Sequence, residues 1–223
     1  ILGYNQELHI FNMQGGKIST IPLRSQLNTP INITTADLRG DGTKAIAVTH
    51  EKGTQTVWLY TKEGFDFGEF QAGDEPLDGI RLSAGDVTGD GVDEIFAGAA
   101  SVSKHADVWV YLADGNLYAA FQAFLPEDNI IHSQGVELTT VDADNDGDVE
   151  VVVGPHAGAP LMRGFTFFGA LLSEFFAFSK DFTGGVRLSS GDLELDGLDE
   201  IVIAAGTGGG PHVKMTDIAG NLK

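Results

Sequence analysis

Short apolar stretches recur along the chain in a constant order, with polar turns between them. Each repeat opens with a short strand-like run, and a glycine follows four residues after its last residue. A second apolar stretch, a third that alternates apolar and polar residues, and a fourth apolar run complete the repeat. Alternation with period two indicates a strand with one buried face. The pattern predicts four short strands per repeat and no amphipathic helix.

Two independent series of positions give the length of the repeat. The strand ends lie 49, 51, 54 and 51 residues apart, and the first aspartates of a recurring acidic loop lie 49, 56 and 50 residues apart. Four short strands in about 50 residues, joined by tight turns, are typical of a propeller blade. The strand ends are Phe11, Tyr60, Tyr111, Phe165 and Thr216, and the loops begin at Asp37, Asp86, Asp142 and Asp192.

The sequence therefore predicts an all-β fold, a β-propeller of four-stranded blades in one array over residues 1–223. Four complete repeats and the first strand of a fifth are expected, and we expect the array to belong to a longer protein. The surplus strand either continues that array or pairs with another molecule, because strand edges pair readily. The predicted repeats are 8–56, 57–107, 108–161 and 162–212, with the start of a fifth at 213–223.

The most distinctive segment runs from Asp142 to Glu150 and directly precedes an apolar stretch. Its carboxylates stand on alternate positions, where they repel one another unless a cation neutralises them. Oxygen ligands at positions 1, 3, 5 and 9, a backbone carbonyl at 7 and a glycine at 6 suit Ca²⁺. An EF-hand is excluded because its twelfth position requires a glutamate, and Val153 stands there. The segment predicts a calcium loop of another type.

The same arrangement begins twice more, at Asp86 and at Asp192. Both copies have a glycine at position 6 and a glutamate at position 9, and an apolar run follows each. A turn rich in Asp, Asn and Gly is the ordinary alternative for a single loop of this kind. Recurrence at the repeat spacing favours calcium in all three loops.

A weaker fourth copy runs from Asp37 to Ala45. Arg39 and Lys44 replace acidic or neutral positions, and Ala45 replaces the closing acid. Two cationic side chains therefore stand where a metal ion would bind. We predict that this loop is metal-free or binds metal weakly.

Composition narrows the classes of partner. The formal net charge is -19, from 13 Lys and Arg against 32 Asp and Glu, which argues against nucleic acid. Three calcium ions would bring that charge to about -13. The absence of cysteine excludes disulfides, zinc-thiolate sites and thiol catalysis. No apolar run is long enough for a transmembrane helix. Because the sequence begins with Ile1, we expect it to be processed, trimmed or a fragment.

The sequence contains no nucleophile elbow and no metalloprotease helix motif, and we expect the protein not to be an enzyme. Trp58 and Trp109 occupy matching positions in successive repeats. Such residues pack between blades or stack on sugars, and packing is the commoner use.

The spacing and the loops resemble the FG-GAP/VCBS repeats that build the propeller of integrin α subunits and of many exported microbial proteins. The resemblance covers essentially the whole chain, although family signatures survive only in pieces such as Gly158-Ala159-Pro160, and Glu replaces the usual Asp at position 9. It implies calcium in three loops. The implied ligands are Asp86, Thr88, Asp90, the Val92 carbonyl and Glu94; Asp142, Asp144, Asp146, the Asp148 carbonyl and Glu150; and Asp192, Glu194, Asp196, the Leu198 carbonyl and Glu200.

The resemblance also implies a function and a location. We expect an extracellular or cell-surface scaffold for adhesion or assembly, with a protein or glycan ligand or with copies of itself as partner. A carbohydrate-binding lectin, or the propeller of a polysaccharide-degrading enzyme, is one alternative. A filament or surface-layer subunit is another, in which case deletion of the residues beyond Gly210 abolishes assembly and leaves the monomer folded.

Overall fold

The computed structural model of the chain describes residues 6–25, 28–73, 76–101, 107–125 and 134–223. This part of the chain is all-β, and it contains no helix long and apolar enough to cross a membrane. The strands are β1 (Glu7–Phe11), β2 (Lys17–Pro22), β3 (Ile31–Ala36), β4 (Ala45–His50), β5 (Thr56–Tyr60), β6 (Asp66–Gln71), β7 (Ile80–Gly85), β8 (Glu94–Ala99), β9 (Val108–Tyr111), β10 (Leu117–Phe121), β11 (Val136–Val141), β12 (Glu150–Pro155), β13 (Leu161–Phe165), β14 (Leu171–Phe176), β15 (Val186–Gly191), β16 (Glu200–Ala205) and β17 (Val213–Thr216).

The strands form antiparallel sheets that are arranged as the blades of a β-propeller. Three sheets have four strands each, namely β3 to β6, β7 to β10 and β11 to β14. The strands β15, β16 and β17 form a three-stranded fourth blade, and β1 pairs with β2 in an N-terminal hairpin. The first strands of the blades, β3, β7, β11 and β15, pack against one another in chain order. The predicted fold class is confirmed.

The sheets are offset by half a repeat from the repeats predicted from sequence. Each four-stranded sheet begins with the strand before an acidic loop, so the first sheet crosses the predicted boundary after residue 56. Strands β4 and β5, from two different predicted repeats, pair in this sheet, and Ile46 lies opposite Tyr60. The spacing of a repeat fixes its length but not the strand at which hydrogen bonding begins.

The apolar core is divided into layers that lie between adjacent sheets. The second blade shows how its strands serve both neighbours. Trp109 packs in the layer toward the first blade and Phe96 in the layer toward the third, and both side chains are fully buried. Because successive side chains of a strand point to opposite faces, one sheet is buried on both sides.

The turn glycines that follow β5, β9, β13 and β17 pack against the preceding sheet. A Cβ atom at Gly169 would lie 2.6 Å from the ring of Phe121, and one at Gly220 would lie 2.5 Å from the ring of Phe175. Both glycines also have positive φ, +84° and +86°. The glycine and the apolar position recur together in the sequence because they touch across the junction between blades.

The N-terminal side of the array exposes apolar residues whose equivalents in the later blades are buried. Ile33 on β3 is 54% exposed, whereas its equivalents Leu82 on β7 and Leu138 on β11 are 7% and 6% exposed. Leu138 packs on the second strand of the preceding blade, at Gly98. Ile33 instead borders a groove of about 770 Å³ beside β1, which Phe11 also lines.

Candidate metal centre

The four acidic loops share one backbone conformation, and each joins the first strand of a blade to the second. In every loop the fourth and sixth residues have positive φ. The fourth residues are Gly40, Gly89, Asn145 and Leu195, with φ of +65°, +68°, +59° and +59°, and the sixth are Gly42, Gly91, Gly147 and Gly197, with φ of +79°, +86°, +95° and +90°. The loops that begin at Asp37, Asp86, Asp142 and Asp192 are called loops 1 to 4. Loop 1 therefore folds like the three better copies.

Leu195 occupies the left-handed position without the freedom of glycine, and its side chain is exposed. A non-glycine residue costs about 1–2 kcal/mol in this conformation, whereas Asn tolerates it, as Asn145 does in the equivalent place. We therefore expect Leu195→Asn to raise the free energy of unfolding by about 1 kcal/mol. Urea unfolding of both proteins measures the change, and an unchanged or lower midpoint contradicts the assignment.

Backbone N–H groups bind several of the loop aspartates. The fifth residue accepts a hydrogen bond from the seventh in all four loops, as an Asx turn does. The first residue accepts one from the sixth in loops 1, 2 and 4. The fifth-to-seventh pairs are Asp41 with Thr43, Asp90 with Val92, Asp146 with Asp148 and Asp196 with Leu198, at 2.8 to 3.0 Å. These bonds hold the loops together through the protein's own groups.

Loop 3 gathers its carboxylates around a common point. Asp142, Asp144 and Asp146 each present an oxygen within 4.8 Å of the others, and within the described residues no other group of acids or histidines does so. Oδ1 of Asp142 is buried and has no hydrogen-bond partner there. Calcium ligands lie 2.3–2.6 Å from the ion, so oxygens at this separation fit around one Ca²⁺. The donor set of loop 3 therefore suits calcium.

Electrostatic strain in loop 3 has the sign that a cation would relieve. Burial raises the pKa of Glu150, and the charges of Asp144, Asp146 and Asp142 raise it further, although an N–H of Ala143 opposes them. The pKa of Asp148 is raised by desolvation and then by surrounding carboxylates, one of which belongs to loop 2. A divalent cation favours the ionised form of all these groups.

The predicted ligands of loop 2 are less clustered. Glu94 is buried, and its Oε2 accepts the N–H of Val87 at 3.1 Å. Burial raises the pKa of Glu94, the Val87 N–H lowers it, and the charges of Asp86 and Asp90 raise it. Asp86 itself accepts several backbone N–H groups, and Thr88 Oγ1 lies 3.4 Å from its Oδ1. Loop 2 therefore holds its acids close to the protein's own donors.

Loop 4 contains a cation of the chain itself. The ammonium of Lys223 lies 3.5 Å from Oε2 of Glu194 and 3.9 Å from Oε1 of Glu200. Glu200 is 1% exposed, and its Oε2 accepts the N–H of Leu193 at 3.0 Å. Lys223 would compete with a metal for two of the predicted ligands.

Loop 1 places its two cations differently from the sequence expectation. Lys44 lies 2.6 Å from Oδ2 of Asp93, which belongs to loop 2, and the guanidinium of Arg39 lies over the ring of Phe67 at 4.8 Å. Desolvation acts to raise the pKa of Asp37, but backbone N–H groups more than offset it and the pKa is lowered. Asp37 is thus satisfied by the backbone, and Lys44 pairs with an aspartate of the neighbouring loop.

Adjacent loops are joined by a contact that the sequence interpretation missed. The N–H of Asp93 donates to the carbonyl of Asp37 at 2.8 Å, and Oδ2 of Asp93 accepts the N–H of Asp37 at 2.6 Å. Asp199 makes the same pair of bonds with Asp142, at 2.9 and 3.1 Å. The recurrence of aspartate at position 8 in loops 2 and 4 was the available signal. The equivalent Val149 makes the backbone bond alone.

The two tryptophans differ in exposure although their sequence contexts match. Trp109 is 0% exposed, so it packs between blades and cannot stack on a sugar in this structure. Trp58 is partly buried and contacts the ring of His50 edge to face, with ring centroids 5.8 Å apart. The packing interpretation is confirmed for Trp109.

Comparison with solved structures supports the fold. The chain is similar to a protein of unknown function from Bacteroides caccae, with 14% identity, a TM-score of 0.59 and coverage of 98% of this chain and 67% of that one. It is also similar to an Agrocybe aegerita lectin that recognises non-reducing terminal N-acetylglucosamine, with 17% identity, a TM-score of 0.53 and coverage of 97% and 58%. A third similar structure is BBS1N, solved in complex with ARL6DN, with 16% identity, a TM-score of 0.50 and coverage of 87% of this chain and 55% of that one.

These likenesses define the fold alone, because identity is low throughout. The chain spans just over half the length of the lectin and of BBS1N. No protein-family model and no curated protein sequence matches the chain.

Proposed function

We propose that the protein is a calcium-stabilised propeller scaffold for adhesion or assembly outside the cell, as the resemblance to FG-GAP/VCBS repeats implies. The observation that supports calcium binding is the convergence of Asp142, Asp144 and Asp146 in loop 3. Extracellular calcium modules bind with Kd values of roughly 10⁻⁴ to 10⁻³ M, which suits the calcium concentration outside cells.

The proposed role of the ion is structural. Loop 3 lies between β11 and β12, and its first residue is bonded to Asp199 of the next loop. An ion held by Asp142, Asp144 and Asp146 would remove the repulsion among them and hold both strand ends in place. Binding free energy then becomes folding free energy, since the unfolded chain does not present this arrangement.

Calorimetric titration with calcium tests the proposal. We expect Asp144→Ala to weaken binding at loop 3 at least tenfold, because the variant removes one ligand from the cluster. Asp181→Ala is the matched control, an exposed aspartate outside the acidic loops, and should bind calcium as the wild type does. No calcium binding at millimolar concentration, or equal binding by the two variants, contradicts the proposal.

Glycan binding is the second candidate. What supports it is the similarity to a lectin that recognises non-reducing terminal N-acetylglucosamine, which extends over 97% of this chain. Titration with N-acetylglucosamine and its short oligomers tests the candidate directly. Absence of binding at millimolar sugar contradicts it.

A further inference from the structure

A polar cleft lies between the blades on the face opposite the acidic loops. Apart from Arg81, which lies in β7, its lining residues come from the segments just before the first strands of the blades and just after the second strands. The acidic loops join the other ends of those strands. The cleft has a volume of about 460 Å³, within the range of small-ligand sites. The lining residues that matter here are Glu51, Lys52, Asp78, Arg81, Gln134 and His156.

Arg81 is a rigid, buried group at the base of this cleft. The residue is 4% exposed, and its Nη1 donates to the carbonyls of Gln134 and Val136, both at 3.1 Å. Its Nε lies 3.3 Å from Oε1 of Glu137, and its Nη2 lies 3.8 Å from Oε2 of Glu51. The side chain is therefore fixed by the neighbouring blade, as a preorganised binding group must be.

The polar contacts around Arg81 extend through Glu137 to the next blade. Glu137 also contacts Nδ1 of His156 and lies 3.7 Å from Nη1 of Arg187. Each is the second residue of the first strand of its blade: Arg81 in β7, Glu137 in β11 and Arg187 in β15, with Asn32 at the same place in β3. The two cations of this row, Arg81 and Arg187, flank Glu137, and Glu51 also lies beside Arg81, so these four side chains together carry no net charge.

The side chains that line the cleft carry both signs of charge. Glu51 and Asp78 supply carboxylate acceptors, while Lys52 and Arg81 supply cationic donors. An anion would meet the two carboxylates, and a cation would meet the two positive groups. A neutral molecule with many hydroxyl groups can donate to the first pair and accept from the second, because each hydroxyl does both.

We propose that this cleft binds a neutral sugar, with Arg81 and Lys52 donating to ring or hydroxyl oxygens and with Glu51 and Asp78 accepting from hydroxyls. The proposal rests on the glycan-binding candidate and assigns a place and a ligand class to it. Trp58 and Trp109 have no part in this site.

Titration of the full chain with N-acetylglucosamine oligomers, and with glucuronic acid as a charged sugar, tests the assignment. Asp78→Asn and Glu51→Gln keep the shape of each side chain and remove its charge, and the amide oxygen introduced by Asp78→Asn would still accept the N–H of Gly53. Each variant is expected to weaken neutral-sugar binding about tenfold, since bonds to charged groups are the stronger kind. Asp181→Asn, an exposed change outside the cleft, should leave the affinity unchanged.

Each other outcome overturns a different statement. If the protein binds sugar and all three variants bind it as the wild type does, the cleft is not the binding site, although the glycan function stands. Preferred binding of glucuronic acid, strengthened by Asp78→Asn, overturns the neutral ligand. No binding of any sugar by the wild type overturns the glycan candidate itself.

Discussion

Removal of calcium is expected to lower the thermal midpoint of the wild type by roughly 5 to 10 °C for each site that had been filled. A site at 100 times its Kd stabilises the folded state by about 2.7 kcal/mol. In a domain of this size each kcal/mol moves the midpoint by about 2–4 °C. For a Kd near 10⁻⁴ M, calcium at about 10 mM against excess chelator gives this comparison. Melting curves in the two buffers measure the shift.

The stability of Asp144→Ala relative to the wild type should depend on the buffer. Without calcium the variant removes one of the mutually repelling carboxylates of loop 3, so it should be as stable as the wild type or slightly more stable. With calcium it loses a ligand and should be less stable. Asp181→Ala should follow the wild type in both buffers. A wild-type midpoint that is the same in calcium and in chelator would rule out the structural role.

Replacing Trp109 with alanine is expected to reduce the free energy of unfolding by about 3–5 kcal/mol, as for other large aromatic residues in a core. The side chain is fully buried in the layer between the first and second blades, so its loss leaves a cavity that two sheets would have to close. Urea unfolding with a check of the m value measures the loss.

Trp58→Ala provides a matched control in the preceding blade. The residue has the same place in its strand, but it is partly exposed, so we expect a loss of roughly 1–2 kcal/mol. Equal losses at both positions would mean that the two junctions are equally well packed. That result would contradict the difference in burial between Trp58 and Trp109.

Much of the architecture could be predicted from local sequence. The alternation before each acidic loop, the turn glycines such as Gly115, and the apolar runs after the loops define the strands, and the structure has them at those places. These signals are local because side chains alternate along a strand and because positive φ selects glycine. The conformation of the acidic loops was readable for the same reason.

The candidate metal centre was only partly accessible from sequence. Asp142, Asp144 and Asp146 are close because they lie in one turn, and the structure brings their oxygens together. Lys223 lies against Glu200, more than 20 residues earlier in the chain, and local spacing gave no sign of it. Calcium binding, the extracellular location and the absence of catalysis stay predictions.

The sequence by itself determined the period, the strand type and the loop chemistry of this protein, since each depends on residues within a few positions of one another. The tertiary structure alone decided which strands share a sheet and that Lys44 pairs with Asp93 of the next blade. It also decided that Trp109 is fully buried while Trp58 is only partly buried. Asp93 and Asp37, 56 residues apart, show the reason. Contacts of this kind join one repeat to the next, and lateral packing of the sheets sets them.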